Sequence, residues 1–82
     1  MTHAAATTRR FRVYARHVDR DRARFVEETS FEAAAVAYLE RFDLAAAAGD
    51  AHALQVIVHD TGTGHEHCFR LDLETGETTP CG

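Results

Sequence analysis

The sequence predicts an α+β domain with the element order β-β-α-β-β, in which a four-stranded antiparallel sheet carries one helix packed on one face. Three patterns predict this fold. Apolar and polar residues alternate over residues 10–17, apolar residues recur at helical spacing from Phe31 to Phe42, and two alternating segments flank a Thr-Gly-Thr-Gly turn at 61–64. The chain has 82 residues, which is the size of one domain.

The first two strands are predicted to form a hairpin. The first runs from Arg10 to His17, where apolar residues alternate with arginines and a tyrosine. Residues 19–21 have the composition of a turn, and residues 23–28 return as the second strand. Its adjacent apolar residues point to opposite faces, and we expect Phe25 to face the core and Val26 to face away.

The helix follows directly. Its apolar stripe has spacings of three and four residues and consists of Phe31, Ala34, Ala35, Tyr38, Leu39 and Phe42. Thr29 and Glu32 fit a capping box, in which the hydroxyl and the carboxylate satisfy backbone N–H groups at the helix start. We expect the helix to fade through residues 45–48 and to end at Gly49, a favourable C-terminal cap.

The third and fourth strands are predicted at residues 54–60 and 65–73, joined by the tight turn at 61–64. This turn sets a register that pairs Val58 with His67, Val56 with Phe69, and Leu54 with Leu71. Residues 78–82 either add a short edge segment or fray, because Pro80 is unfavourable in a central strand.

The basic residues are concentrated at one end of the chain. All nine are arginines, and seven of them lie between Arg9 and Arg24, whereas residues 25–82 carry eleven of the thirteen acidic residues. The charge is therefore polarised, which restricts the partners the domain can bind. Residues 1–8 are interpreted as a disordered lead-in, and residues 9–82 as the single α+β domain.

The chain shows no signal peptide, no apolar run long enough to span a membrane, and an acidic composition. Its two cysteines, Cys68 and Cys81, could form one bridge but are too few for a disulfide scaffold. These features predict a cytoplasmic protein.

Histidines and cysteines near the second hairpin raise the alternative of a small zinc site. Strand alternation places His59 and Cys68 on one face and His65 and His67 on the other, so the four cannot converge on one ion. The same pair, His59 and Cys68, could serve as base and nucleophile, but no oxyanion hole or water-excluding pocket is evident. We therefore expect no enzyme, no cofactor and no catalytic residue, with His59 and Cys68 kept as the alternative metal ligands.

The sheet face opposite the helix is the candidate binding surface. Nothing else in the sequence is available to cover it, and an apolar centre ringed by arginines has the composition of a binding face. The residues we expect to carry binding are Arg12, Tyr14, Arg16, Val26 and Ile57.

Three uses of this surface compete. One is association with a protein, including a second copy of the chain. Another is single-stranded nucleic acid, with arginines on phosphates and Tyr14 stacked on a base. The third alternative is that the surface binds nothing, and its arginines form exposed salt bridges with acidic residues of the same chain. A register with Ala15 opposite Phe25 would set Arg12 opposite Glu28. The favoured hypothesis is a non-enzymatic protein-binding domain, with nucleic acid less favoured and no membrane partner.

Two segments resemble known families. Residues 11–17 (FRVYARH) and 25–34 (FVEETSFEAA) resemble small proteobacterial proteins classed as domains of unknown function. The hairpin leading into this helix start is also similar, over residues 10–42, to HicB-type antitoxins. Neither resemblance carries functional residues to this sequence.

Overall fold

The computed structural model describes residues 8–16, 23–42 and 52–81. Its elements are β1 (Arg9–Ala15), β2 (Arg24–Glu28), α1 (Phe31–Arg41), β3 (Ala53–Asp60), β4 (Glu66–Asp72) and β5 (Thr78–Pro80). The strands form one antiparallel sheet in the order β2-β1-β3-β4-β5. The predicted α+β class and the order β-β-α-β-β are confirmed, and the C-terminal segment adds a fifth, edge strand to the four predicted.

Parts of the sequence-based prediction fall outside the described residues. The structure does not describe residues 1–7 of the predicted lead-in. It also does not describe residues 45–49, where the helix was predicted to end. Thr8 is described, and it is exposed and belongs to no strand.

The β3–β4 hairpin has the predicted register. Val58 pairs with His67, Val56 with Phe69, and Leu54 with Leu71. Alternate residues of β3 are buried and half-buried along its whole length, as expected for a strand with one face on the core. The alternation of the sequence and the short turn together fix this register, because a slip of one residue would turn every side chain to the other face.

The register of β2 differs from the prediction and reverses its faces. Phe11 pairs with Val26, and Arg12 pairs with Phe25. Val26 therefore points into the core and is 3% exposed, whereas Phe25 lies on the opposite face and is 52% exposed. The predicted pairing of Ala15 with Phe25 is wrong by three residues, and an odd slip exchanges the two faces of a strand.

The helix begins as predicted but uses a different cap. Ser30, not Thr29, has the extended backbone of an N-cap, and its hydroxyl accepts from the Ala33 N–H at 3.1 Å. The described helix ends at Arg41, where Phe42 returns to extended backbone.

The core lies between α1 and one face of the sheet. Phe31 at the start of the helix packs edge-on against Phe11, with ring centroids 5.0 Å apart. The buried apolar residues are Phe11, Val13, Ala15, Val26, Ala34, Ala35, Ala37, Tyr38, Leu54, Val56, Val58, Phe69 and Leu71. We call the other side of the sheet the open face; its side chains include Arg10, Arg12, Tyr14, Arg16, Phe25, Glu27, Gln55, Ile57, His59, Glu66, Cys68 and Arg70.

The turns at the two ends of β4 are built alike. In the first, one carboxylate oxygen of Asp60 accepts from the N–H groups of Gly62 and Thr63, at 2.8 and 3.2 Å. Gly64, with a φ of 81°, returns its N–H to the Asp60 carbonyl at 2.8 Å. The second turn, residues 72–77, repeats these contacts with its own aspartate, threonine and glycine. The shared pattern Asp-x-x-Thr-Gly is a sequence signal for both turns.

Asp60 is nearly inaccessible to water, with 1% of its surface exposed. Arg9 donates to its second oxygen at 2.8 Å, which supplies a counter-charge. The backbone N–H of Gly62 is the largest cause that lowers the pKa of Asp60, followed by the N–H of Thr63 and the charge of Arg9. The pKa of Asp72 is lowered in the same way by N–H groups of its own turn.

These two aspartates predict how stability depends on pH. Because the folded pKa values lie below the unfolded value of about 4, their contribution is fully present above pH 4 and is lost as pH falls through the folded pKa values. We expect the urea midpoint to fall on acidification below about pH 4, and to fall less steeply in the double variant Asp60→Asn, Asp72→Asn. If the urea midpoint fell equally steeply with pH in the variant and the wild type, the two aspartates would not be the cause of the pH dependence.

Candidate functional site

The centre of the open face is organised by cross-strand neighbours. Arg12 lies opposite His59 on β3, and His59 lies opposite Glu66 on β4. The Nδ1 atom of His59 is 3.2 Å from the Glu66 carboxylate. In the next row Tyr14 lies opposite Ile57, which lies opposite Cys68. Strand alternation thus brings charged and apolar residues into adjacent rows.

Tyr14 is held inside the open face rather than displayed on it. It is 6% exposed, and its hydroxyl donates to the Glu66 carboxylate at 3.4 Å. The Arg12 guanidinium lies 5.6 Å from the centre of its ring. The Tyr14 ring is therefore engaged by the chain's own side chains and does not offer the free stacking surface predicted for nucleic acid.

The arginines of the open face form no salt bridge to a carboxylate within the described residues, although Glu27 lies opposite Arg10 and the charge of Arg70 acts on Asp72. Arg10 lies over the ring of Phe25, 4.2 Å from its centre, and Arg16 donates to the side-chain oxygen of Gln55 at 2.9 Å. The arginine salt bridges in this part of the chain, Arg9–Asp60 and Arg41–Glu28, lie off the open face. Arg12 and Arg70 form no such bridge to any residue in the ranges 8–16, 23–42 and 52–81 either.

The predicted pairing of Arg12 with Glu28 is wrong. The register sets Arg12 opposite Phe25 and sets Glu28 opposite Arg9. The Nε atom of Arg12 is buried, and no hydrogen-bond partner for it lies in the described part of the chain. A buried donor without an acceptor carries a desolvation cost, so Arg12 is held in this position at the expense of stability.

Of the five predicted binding residues, four lie on the open side of the sheet: Arg12, Tyr14, Arg16 and Ile57. Val26 does not, because the register of β2 turns it under the helix. Phe25 takes its place as the exposed apolar residue of β2. The sequence contains both residues side by side, and their alternation alone does not decide which one is buried.

A disulfide joins Cys68 and Cys81 at the centre of this surface. The bond links β4 to the residue that follows β5, and the N–H of Cys81 also donates to the carbonyl of Cys68 at 3.0 Å. In this oxidised form Cys68 is not available as the alternative zinc ligand beside His59, since a disulfide sulfur is not a thiolate ligand. No group of three His, Cys, Asp or Glu residues among those described is placed to hold a metal ion.

A groove runs along the outer edge of β2. It has a volume of about 640 Å³ and is lined by Arg10, Phe25, Val26, Glu27 and Arg41. It joins the open face to the end of the helix, so the edge of the sheet is accessible beside the exposed Phe25 ring.

In the ranges that the structure describes, no helix is long and apolar enough to cross a membrane. A model described as a family of unknown function (DUF5961) matches residues 9–82. No curated protein and no solved structure matches the chain.

Proposed function

We propose that the chain, which belongs to the family of unknown function DUF5961, is a non-enzymatic protein-binding domain whose open face holds an acidic surface of its partner. The observation that supports this most is the set of open-face arginines that form no salt bridge to a carboxylate among the described residues: Arg10, Arg12, Arg16 and Arg70. The chain as a whole is acidic, so this local set is not explained by overall charge.

The chemistry of these groups favours a carboxylate-bearing surface. A guanidinium presents a planar fork of N–H donors that matches a carboxylate in two hydrogen bonds. Between the arginines lie half-buried apolar groups, Ile57 and the Cys68–Cys81 bond, with Phe25 exposed to one side. Apolar anchors surrounded by charged groups are the usual arrangement of a protein interface.

Single-stranded nucleic acid is the less favoured ligand. Phosphates would suit the arginines, but affinity for single strands also depends on aromatic rings on which bases stack. Tyr14 is buried under Arg12, and Arg10 covers one face of the Phe25 ring at 4.2 Å, which leaves the other as the single exposed aromatic surface of the described sheet.

The proposal is tested by affinity capture from a lysate of the source organism, followed by calorimetry with the purified partner. Arg70→Ser and Arg41→Ser each remove one positive charge, on and off the open face respectively. We expect Arg70→Ser to weaken the complex about tenfold and Ile57→Asp to abolish it, with Arg41→Ser close to wild type.

Two results would overturn the proposal. One is that no captured protein distinguishes Ile57→Asp from the wild type. The other is salt-dependent binding of an oligothymidylate that Arg12→Ser weakens, which would assign the surface to nucleic acid instead.

A further inference from the structure

The free edge of β2 presents backbone groups of two residues. The carbonyl of Arg10 accepts from the N–H of Thr61, just after β3, and the N–H of Arg16 donates to the carbonyl of Gln55 in β3, so the even-numbered residues of β1 direct their backbone toward β3. The odd-numbered residues then bond to β2, and their partner at the centre of β2 is Val26. Because successive residues alternate, Phe25 and Glu27 direct their N–H and carbonyl groups outward.

No hydrogen bond to these outward groups is found within residues 8–16, 23–42 and 52–81. The opposite edge of the sheet is protected. On β5 the N–H of Cys81 faces inward to Cys68, so Pro80 faces outward, and it has no N–H to donate. β2 has no proline, and although charged side chains usually discourage edge pairing, those of β2 are of both signs, so an antiparallel copy can match them.

We propose that two copies of the chain pair through β2 in an antiparallel arrangement, with Phe25 of each copy opposite Glu27 of the other. The molecular two-fold axis then passes beside Val26. The outward groups of both residues exchange hydrogen bonds in this register, as a closed isologous contact requires.

Charge selects this register. It sets Arg24 of each copy opposite Glu28 of the other, so each Glu28, which already pairs with Arg41 of its own chain at 3.1 Å, gains a second opposite charge across the interface. It also brings Glu27 of the second copy beside Phe25, where the Arg10 guanidinium lies 4.2 Å from the ring centre. Neighbouring registers lose these pairs: one sets Glu27 against Glu27, and the other sets Arg24 against Val26.

The dimer would join the two sheets into one. An axis perpendicular to the sheet keeps both helices on one side and both open faces on the other. The arginines of the two copies would then line one continuous surface. The edge pairing does not depend on whether the open face binds a partner.

The contact is small. A five-residue strand edge buries less surface than the roughly 1,200–2,000 Å² of a stable complex. We therefore expect a weak dimer whose population rises with concentration, measurable by sedimentation equilibrium of the full chain.

Glu27→Pro is the sharpest variant. It removes the outward N–H without touching a bond to β1, so the fold, followed by circular dichroism, should be retained. We expect Glu27→Pro to sediment as a monomer and Ile57→Asp, which alters only the open face, to remain a dimer. A wild type that is monomeric at about 1 mM chain, or a dimer that Ile57→Asp breaks instead, would overturn the edge pairing.

A charge exchange tests the register. Arg24→Glu alone and Glu28→Arg alone each create like-charge pairs across the interface, so each should dimerise at least about tenfold more weakly than the wild type. An equimolar mixture of the two restores both opposite-charge pairs and should form a mixed dimer. Dimerisation of the mixture no better than that of either variant alone would contradict the proposed register.

Discussion

Replacing Phe11 with alanine is expected to destabilise the domain by about 3–5 kcal/mol, because its fully buried ring fills the centre of the core and leaves a cavity. A domain of this length has a total stability on the order of 4–12 kcal/mol, so this loss is a large fraction of the total. Phe25→Ala removes the same side chain from an exposed site and should cost less than about 1 kcal/mol.

The pair of variants also tests the register of β2. Urea unfolding followed by circular dichroism, at concentrations too low for dimer formation, gives both free energies of unfolding. If β2 were turned over, with Phe25 in the core, its removal would be costly as well. If Phe25→Ala lowered the free energy of unfolding as much as Phe11→Ala does, the result would contradict the register of β2 in the structure.

Loss of the Cys68–Cys81 bond is expected to lower the free energy of unfolding by about 3 kcal/mol, since the bond closes a loop of about 14 residues in the unfolded chain. β5 should loosen most, because it is three residues long and pairs only with β4. Amide hydrogen exchange at Thr79 and Cys81 should then become faster than at β3.

The comparison is between the oxidised chain, the same chain in reductant, and the double variant Cys68→Ala, Cys81→Ala. The last two should unfold at similar, lower urea concentrations. The reduced form is the relevant one if the prediction of a cytoplasmic location holds, because thiols are kept reduced there. Coincident unfolding curves for all three forms would show that the bond adds no stability.

The register of the hairpin formed by β3 and β4 could be predicted from the sequence. Apolar residues alternate on both sides of a short turn, and one pairing places Leu54, Val56, Phe69 and Leu71 on the same face. The turn itself is reinforced by Asp60, whose role the alternating pattern does not reveal. Its pattern Asp-x-x-Thr-Gly, repeated at residues 72–76, was the missed signal.

The first hairpin was not predictable to the same level. Its strands are joined by a longer connection, which does not set a register, and Phe25 and Val26 offer one apolar residue to each face. The larger ring is the natural choice for the core. The structure instead buries Val26 beneath the helix and leaves Phe25 under Arg10.

The wrong register for β2 also limited the prediction of the candidate site. Alternation along β1 correctly placed Arg12 and Arg16 on the open side of the sheet. It could not reveal that Arg12 lacks a carboxylate opposite it, because that depends on the register of β2. The sequence also left open whether Cys68 and Cys81 are bonded, since pairing of β4 with a strand as short as β5 is what brings them together.

The strand order has a consequence for how the molecule assembles. Strands β1 and β2 come from the first part of the chain and β3 to β5 from the last, and the two groups meet where Val13 pairs with Val58. Each group can form from neighbouring segments, whereas this junction must close the longest loop in the sheet, so we expect it to form last. During synthesis β1 cannot pair with β3 until β3 has left the ribosome, and until then the inner edge of β1 is open to wrong strand partners.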